Sequence, residues 1–203
     1  MTFIDFVFFF YMFVGLYLLV LLISIYLRAR KEMFAYPPAK LVPVSIVVPC
    51  YNASKTIGAS LDSLLNLDYP KKLIEIIVVD DKSKDNTVGI VERYARKHSN
   101  IRVIVNSRNS GGAAEPTNMG VKYARHDIVA VADDDSAPVP EALRRMLGFL
   151  QKDRLTKAVT CAVLARSRDT FMQKLQAIEY TSISWSRKLL DSVDSVYVTP
   201  GPF

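Results

Sequence analysis

The sequence predicts an α/β fold in which a mostly parallel sheet is flanked by helices and preceded by one transmembrane helix. An uncharged, strongly apolar run near the N-terminus indicates the transmembrane helix. Behind it, short β-branched segments alternate with amphipathic segments, which is typical of a parallel sheet covered on both faces. Polar residues follow the ends of the β-branched segments, where the ligands of such sheets bind.

The apolar run covers residues 6–27 and is the first predicted element. At ~1.5 Å per helical residue it is long enough to cross a hydrocarbon core of ~30 Å. No basic residue precedes it and no small-residue cleavage site follows it, which argues against a signal peptide. Because Arg28, Arg30 and Lys31 follow the run and basic flanks stay in the cytoplasm, we expect the N-terminus outside and the rest in the cytosol. A buried core helix is the alternative.

This interpretation divides the chain into a transmembrane anchor with a short linker, residues 1–40, and a domain, residues 41–203. The net charge of +6 lies partly in the basic flank, where it would meet anionic lipid. The other basic residues are scattered without interleaved aromatic residues, so no nucleic acid is expected as a partner. Cys50 and Cys161 have neither metal-binding nor redox spacing, and we expect reduced core residues.

Five strands and five helices are predicted in the domain, in alternation. The strands are short runs rich in β-branched residues, and each helix has apolar residues every three or four positions. The order is strand 44–48, a helix carrying Ile57, Leu61 and Leu64, strand 74–79, helix 87–97, strand 101–105, helix 113–125, strand 128–132, a helix with Pro140 in its first turn, strand 158–164 and a long helix from Phe171.

The long helix carries its apolar side chains on one face, at Phe171, Leu175, Ile178, Trp185 and Leu189. We expect this face to pack on the sheet. Three basic residues beside the face leave a second interpretation open, in which the helix lies on a membrane surface. These basic residues are Lys174, Arg187 and Lys188.

Polar segments follow the first four strands, at residues 51–52, 80–81, 106–112 and 133–135. Because the carboxyl ends of parallel strands meet at one edge of a sheet, we expect these segments to converge. Asp133 and Asp135 are two residues apart in an extended segment, so their side chains share a face and could bind one divalent cation while Asp134 points away. A solvated acidic turn is the alternative.

The acidic pair Asp80 and Asp81 also has a counterpart in phosphorelay receiver domains, where such a pair ends the first strand. Here a full strand–helix unit precedes the pair. A receiver also needs a single phosphoacceptor Asp after its third strand and a Lys after its fifth, and neither is evident. The sequence therefore argues against a receiver domain.

Four ordered stretches carry a resemblance to a known family: "VSIVVPCYNASKTIGASLDSLLNLDYP", "IEIIVVDDKSKDNT", "NSGGAAEPTNMG" and "VAVADDDSAPVPEALRRML". Together they resemble family 2 glycosyltransferases, which have the Rossmann-like GT-A fold, over about residues 42–203. The apolar N-terminus and the stretch "LQAIEY" are most similar to the membrane-bound, polysaccharide-synthase-like branch of that family.

The resemblance implies a role for residues of all four polar segments. Asp81, with Asp80 beside it, would hydrogen-bond the base, typically uracil, and the metal would be Mg²⁺ or Mn²⁺. The loop before Asn118 departs from the family pattern, because many relatives have Lys where Gly112 stands and the loop is one residue longer, with Pro116 inside. The implied nucleotide- and donor-binding residues are Pro49, Tyr51, Asn52, Asp80, Asp81, Gly111, Gly112, Asn118, Asp133 and Asp134, and the implied metal ligands are Asp133 and Asp135.

The resemblance further implies a membrane-anchored enzyme that transfers a sugar from a nucleotide sugar, typically a UDP-sugar, to a glycan or lipid-linked acceptor by metal-assisted inverting chemistry. Relatives carry the catalytic base in a later acidic motif, which Glu179, Asp191 and Asp194 do not match, so we expect the chain to be an N-terminal portion. Two alternatives stay open. One is a non-catalytic nucleotide-sugar-binding half that needs a partner, and the other is a dolichyl- or polyprenyl-phosphate sugar synthase.

Overall fold

The structure is a computed structural model that describes residues 2–33 and 35–193. The expectations for Asp194 and for the end of the chain lie outside these residues. The described chain forms six α-helices, four strands and one 3-10 helix, in the order α1 (Phe3–Ala29), β1 (Val44–Cys50), α2 (Ile57–Leu65), the 3-10 helix (Lys71–Leu73), β2 (Ile74–Asp80), α3 (Thr87–Lys97), β3 (Ile101–Val105), α4 (Ala114–Tyr123), β4 (Ile128–Val131), α5 (Ala142–Lys152) and α6 (Phe171–Asp191).

These elements belong to two compact units. One unit, residues 36–161, holds the strands and α2 to α5. The other unit consists of the described residues up to 35 together with residues 162–193, and it holds α1 and α6.

The four strands form one parallel sheet in the order β3-β2-β1-β4. Because successive side chains of a strand point to opposite faces, β1 and β2 can bury side chains on both. Ile46 and Val48 share a core with residues of α2, α3 and α5, whereas Val47 packs on the opposite face with Met119 of α4. The predicted parallel sheet with helices on both faces is confirmed.

The fifth predicted strand, residues 158–164, is wrong. Residues 157–160 line a cavity of about 240 Å³ together with β4 and α5, and they form no ladder with β4. β-branched composition favours a strand only where a neighbouring strand supplies the hydrogen bonds. Among the described residues β4 is therefore an edge of the sheet.

The predicted start of α5 is also shifted. The carbonyl of Pro140 accepts a hydrogen bond from the backbone N–H of Asp68 at 2.8 Å, so the hydrogen-bond partner of this carbonyl lies outside the helix. Ala142 donates to the carbonyl of Val139 at 3.0 Å and begins the helix after this turn. Pro140 therefore precedes the first turn.

A charge cluster around the buried Glu75 joins the strands near their amino ends. Glu75 accepts a hydrogen bond from the Ser45 hydroxyl at 2.8 Å and pairs with Arg102 at 3.0 Å and Arg125 at 3.4 Å. Burial raises the pKa of the Glu75 carboxyl, but the hydrogen bonds from Ser45 and the Arg125 backbone and the two guanidinium groups outweigh it, so the pKa lies below its ordinary value. The ionised carboxylate holds β1, β3 and the segment before β4 together.

In the second unit, α1 is 27 residues long and has no buried side chain. Among the described residues it is the one helix that is long and apolar enough to cross a membrane. Thr2 and Asp5 form a capping box, in which each side chain accepts from the other's backbone N–H, at 2.6 and 3.2 Å. The helix is longer than the predicted apolar run, and none of its side chains is buried among the described residues.

Gly120 marks a close approach between α4 and β1, and it gives a test of this packing. A Cβ at this position would lie 2.2 Å from Cγ1 of the fully buried Val47. We expect Gly120→Ala to destabilise the sheet unit by about 1–3 kcal/mol, because α4 or Val47 must move. The measurement is thermal unfolding of the purified chain in detergent, followed by circular dichroism.

Gly58→Ala is the matched control for this prediction, because Gly58 is also helical. Its added Cβ would meet only the Tyr94 hydroxyl oxygen at 3.7 Å, an ordinary contact. This variant gains the better helix propensity of alanine, roughly up to 1 kcal/mol, without overpacking. Equal melting temperatures for the two variants would show that α4 does not pack this tightly on β1.

Candidate functional site

The loops that follow the four strands lie at one edge of the sheet, as parallel strands require. Cys50, the last residue of β1, is paired with Asp80, the last residue of β2, and Asp80 is paired in turn with Val105 of β3. The ladder continues from β1 to the residue after β4, where the Ala132 N–H donates to the carbonyl of Val47 at 2.9 Å. This edge is therefore the candidate site, and the following hydrogen bonds define it.

The loop after β1 is tied to the loop after β2. The backbone N–H of Asn52 donates to the Ser83 hydroxyl, and the Asn52 side-chain oxygen accepts from the backbone N–H of Lys84, both at 2.8 Å. Asn52 and Lys82 have φ angles of +52° and +64°, in the left-handed region that few residues other than glycine adopt. The predicted binding residue Asn52 thus holds the shape of the loop.

Asp85 and Thr87 extend this connection, and the sequence analysis missed them. Asp85 accepts from the Ser54 backbone at 3.0 Å, and Thr87 accepts from the Ala53 backbone at 2.8 Å. The Thr87 hydroxyl, foremost, and the backbone N–H groups of Ser54 and Thr87 hold the pKa of the Asp85 carboxyl well below its ordinary value. The Asp-x-Thr pattern at the start of α3 could have predicted these contacts, because Asp and Thr side chains at helix starts form hydrogen bonds with nearby backbone groups.

Pro49 and Tyr51 lie on either side of the end of β1. Pro49 is buried within the strand, whereas Tyr51 is exposed beyond it. Cys50 between them is buried, and burial followed by the charge of Asp80 raises the pKa of its thiol far above the ordinary value. Cys50 and Cys161 form no disulfide bond with each other, and Cys161 is only partly buried, so the expected core position holds for Cys50 alone.

Asp80 is fully buried beneath the loops. One carboxylate oxygen accepts from the Ser83 backbone N–H at 2.9 Å, and the other lies 3.9 Å from the Cys50 sulfur. Asp80 therefore closes the turn that follows β2.

Asp81 is 3% exposed and fastens the loop after β3. One carboxylate oxygen accepts from the Asn106 amide at 2.7 Å, and the other accepts from the backbone N–H and the hydroxyl of Ser110, each at 2.8 Å. Its carbonyl accepts from the Asn109 amide at 2.9 Å. The sequence analysis placed this loop beside Asp81 but missed the roles of Asn106, Asn109 and Ser110.

The charge of Asp81 is stabilised by these contacts. Burial raises the pKa of its carboxyl, but the hydrogen bonds from Asn106, Ser110 and the Gly111 backbone outweigh it, so the pKa lies below the ordinary value. Asp81 is thus a buried, ionised group that holds the loop after β3.

Gly111, Gly112 and Asn118 lie on the exposed side of the same edge. Gly111 has a φ angle of +82°, and Gly112 is exposed beside it. α4 begins at Ala114, so Pro116 lies in the first turn of the helix, where proline is tolerated, and Asn118 follows on the helix surface. The departure from the family pattern around Pro116 therefore falls in the helix.

The three carboxylates after β4 lie in a tight turn at residues 134–135, not in the extended segment that the sequence predicted, so their shared face does not follow from strand geometry. The Asp133 carbonyl accepts from the Ser60 hydroxyl of α2 at 3.2 Å and from the Ser136 backbone at 3.2 Å. Asp133 and Asp134 are half-buried and Asp135 is exposed. The Asp134 carboxylate accepts from the Tyr51 backbone N–H, which links this turn to the loop after β1.

The carboxylates of this turn repel one another. Burial, followed by the charge of Asp135, raises the pKa of both Asp133 and Asp134, and the Tyr51 N–H only partly offsets this for Asp134. Within residues 2–33 and 35–193, no group of three or more His, Cys, Asp or Glu side chains is placed to hold a metal ion by itself. Two carboxylates fit Mg²⁺ or Mn²⁺ only if substrate phosphates and water complete the coordination, which is the usual arrangement for Mg²⁺.

A family model and a curated relative each match most of this chain. The glycosyl transferase family 2 model matches residues 45–197. A poly-beta-1,6-N-acetyl-D-glucosamine synthase from Staphylococcus aureus is 31% identical over 188 residues, which cover 90% of this chain and 45% of that protein.

Two solved structures are also similar. A mannosyltransferase from Pyrobaculum calidifontis, in complex with GDP-Man and Mn²⁺, has a TM-score of 0.61 at 28% identity. The match covers 72% of the present chain and 44% of the mannosyltransferase chain. Residues 1–349 of S. aureus TarS, in complex with UDP-GlcNAc, have a TM-score of 0.52 at 31% identity. This match covers 62% of the present chain and 39% of the TarS chain. The chain spans less than half the length of each of these relatives.

Proposed function

Because the chain belongs to glycosyl transferase family 2 and its sheet is that of GT-A enzymes, we propose that it is the donor-binding portion of a membrane-anchored glycosyltransferase. The donor is a nucleotide sugar, a UDP-sugar, and the acceptor is a glycan or a lipid-linked acceptor. The observation that carries the proposal is the convergence of four loops on one edge, with two carboxylates at one strand end and a buried, ionised Asp81 at another.

The two ends of the site are assigned to different parts of the donor, one to the diphosphate and the other to the base. We assign the diphosphate to Asp133 and Asp135 through Mg²⁺ or Mn²⁺, which stabilises the negative charge that develops on the leaving nucleotide diphosphate. We assign the base to Asp81, because its ionised carboxylate can accept from the uracil ring N–H. Tyr51 and Asn52 border the space between the two, and Gly111, Gly112 and Asn118 border the sugar.

Two comparisons support the choice of donor and metal. TarS is solved with UDP-GlcNAc, and the Pyrobaculum mannosyltransferase is solved with GDP-Man and Mn²⁺. These ligands belong to those proteins, and their different bases leave the base of this chain's donor to be measured. We propose uridine because the family resemblance implies it, and a carboxylate can accept from the ring N–H of uracil.

The anchor and the acceptor side rest on other observations. The length, apolar composition and basic C-terminal flank of α1 support a single membrane pass, with the sheet unit in the cytosol.

A positioned base that deprotonates the acceptor typically contributes about 10²–10⁴-fold to the rate of sugar transfer, and we assign this base to no residue of the described chain.

A nucleotide panel tests this function. We expect calorimetry on the purified chain with Mn²⁺ present to give the order UDP tighter than GDP, and UDP tighter than UMP, since UMP lacks the phosphate that completes the metal site. Failure of every nucleoside diphosphate to bind would contradict the donor site. Fast acceptor-dependent transfer by this chain would show that it carries a base and would direct attention to Glu179 and Asp191.

A further inference from the structure

The buried face of α2 carries one polar side chain, that of Ser60. The other buried residues of this face with large side chains are apolar, namely Ile57, Leu61 and Leu64. Ser60 lies among them with 1% of its surface exposed, and burying a hydroxyl costs free energy unless it forms a hydrogen bond. The Ser60 hydroxyl donates to the backbone carbonyl of Asp133 at 3.2 Å. Ser60 therefore connects α2 to the turn that carries the three carboxylates.

The Asp133 carbonyl lies where the chain leaves the sheet. The preceding residue, Ala132, still donates to the carbonyl of Val47 in β1 at 2.9 Å. The Asp133 carbonyl instead accepts from Ser60 and from the backbone N–H and the hydroxyl of Ser136, the last two at 3.2 and 3.1 Å. Two of these three donors belong to the turn itself, and the third belongs to α2. Ser136 thus holds the shape of the turn, and Ser60 holds its position.

The position of this turn, residues 133–136, bears on the proposed metal site. In a strand, Asp133 and Asp135 would share a face by geometry alone, but in a turn the directions of their side chains depend on the backbone. A divalent cation requires its ligand oxygens at defined distances, and contacts behind the ligands hold them in place. A contact that fixes the Asp133 peptide therefore acts on the metal site through the backbone.

The start of α2 is tied to the loops at the other end of the site. The Ile57 N–H donates to the Ala53 carbonyl at 2.9 Å, and the Ala53 N–H donates to the Thr87 hydroxyl at the start of α3 at 2.8 Å. α2 is a helix of nine residues. Through Ser60, it connects the loop after β1, which borders the proposed donor, to the turn at residues 133–136.

We infer that Ser60 is a positioning residue of the donor site. Its hydroxyl holds the Asp133 carbonyl so that Asp133 and Asp135 can bind one divalent cation together with the diphosphate. Ser60 acts through Asp133 and contacts neither the cation nor the donor. The inference rests on the proposed function, because it requires a metal ion at this turn.

Ser60→Ala tests the inference, because it removes the hydroxyl alone. Alanine favours a helix more than serine does, and Ser136 still donates to the Asp133 carbonyl, so we expect the melting temperature to change little. Calorimetry with Mn²⁺ present should give a UDP affinity reduced about 2- to 10-fold, the range that one net hydrogen bond supports. The affinity for UDP in a chelator should not change.

Two further variants separate positioning from packing. Ser60→Thr retains a hydroxyl and should restore the affinity of the parent chain. Ser63→Ala is the matched control, because the Ser63 hydroxyl donates to the Ala59 carbonyl at 2.9 Å within the same helix. Electron paramagnetic resonance of Mn²⁺ in the complex with UDP should show broader lines for Ser60→Ala than for the parent chain, Ser60→Thr and Ser63→Ala.

The outcomes distinguish the inference from the proposed function. If the parent chain binds UDP equally with Mn²⁺ and in a chelator, the metal-assisted donor site and the inference both fail. If the parent chain requires Mn²⁺ and Ser60→Ala keeps its affinity and spectrum, the inference alone is wrong. Equal losses in Ser60→Ala and Ser63→Ala, or a Ser60→Thr variant as weak as Ser60→Ala, would assign the effect to the packing of α2 and would also overturn the inference.

Discussion

Asp135→Asn is expected to abolish the metal-dependent part of nucleotide binding, the largest effect of any single substitution in the site. The substitution removes one of two anionic ligands from a site that holds no third protein carboxylate arranged as a ligand among the described residues. An amide is a far weaker ligand for a hard divalent cation than a carboxylate. The measurement is calorimetric titration of UDP with Mn²⁺ present, compared with the same titration in a chelator.

Asp134→Asn is the matched control, because it makes the same change in charge one residue away. Its amide oxygen can still accept the hydrogen bond from the Tyr51 backbone that the carboxylate accepts now. We expect little change in the metal-dependent binding of UDP. If both variants lose binding to the same extent, the site depends on its total charge and not on ligation by Asp135.

Asp81→Asn is expected to weaken the binding of uridine nucleotides by roughly 10- to 150-fold, because a hydrogen bond to a charged group contributes ~1.5–3 kcal/mol. The amide also places a donor group against Asn106 or Ser110, which both donate to the present carboxylate. Titrations of UDP against parent and variant chains give the ratio of dissociation constants. Equal affinities would exclude Asp81 as the group that reads the base.

A second ligand and a second variant separate base reading from loop positioning. Ser110→Ala removes the hydroxyl contact to Asp81 but retains the backbone N–H contact at 2.8 Å, so it loosens the loop without changing the carboxylate. If Asp81 reads uracil, Asp81→Asn weakens UDP more than GDP, and Ser110→Ala affects the two alike and less. Equal weakening of UDP and GDP by Asp81→Asn would assign Asp81 to the loop alone.

The sequence predicted the four strands of the sheet and the helices between them because their hydrophobic periodicity is a local property. Helix 87–97 and strand 101–105 agree with α3 and β3 at both ends. The segment at 158–164 has the same composition as a strand, but pairing depends on the distance to β4, which no local pattern contains. The start of α5 failed for a similar reason, since the carbonyl of Pro140 is engaged by Asp68, far away in the chain.

The sequence predicted where the site lies in the fold, but not the hydrogen bonds that hold its loops together. Polar residues after buried strands located all four loops, because the topology of a parallel sheet brings strand ends together. The burial of Asp80 and the fastening of Asp81 by Asn106 and Ser110 come from contacts between loops of different strands. Such contacts depend on loop conformation, including the left-handed residues Asn52 and Lys82, which hydrophobic patterns do not reveal.

The most direct test of a metal-assisted nucleotide-sugar site is the affinity of the unmodified chain for UDP in the presence and absence of Mn²⁺. Because Asp133 and Asp135 are proposed to meet the diphosphate through the ion, calorimetry should detect tight binding with Mn²⁺ and only weak binding in a chelator. Equal affinity under the two conditions would contradict the account, since two repelling carboxylates cannot hold a diphosphate without a cation between them.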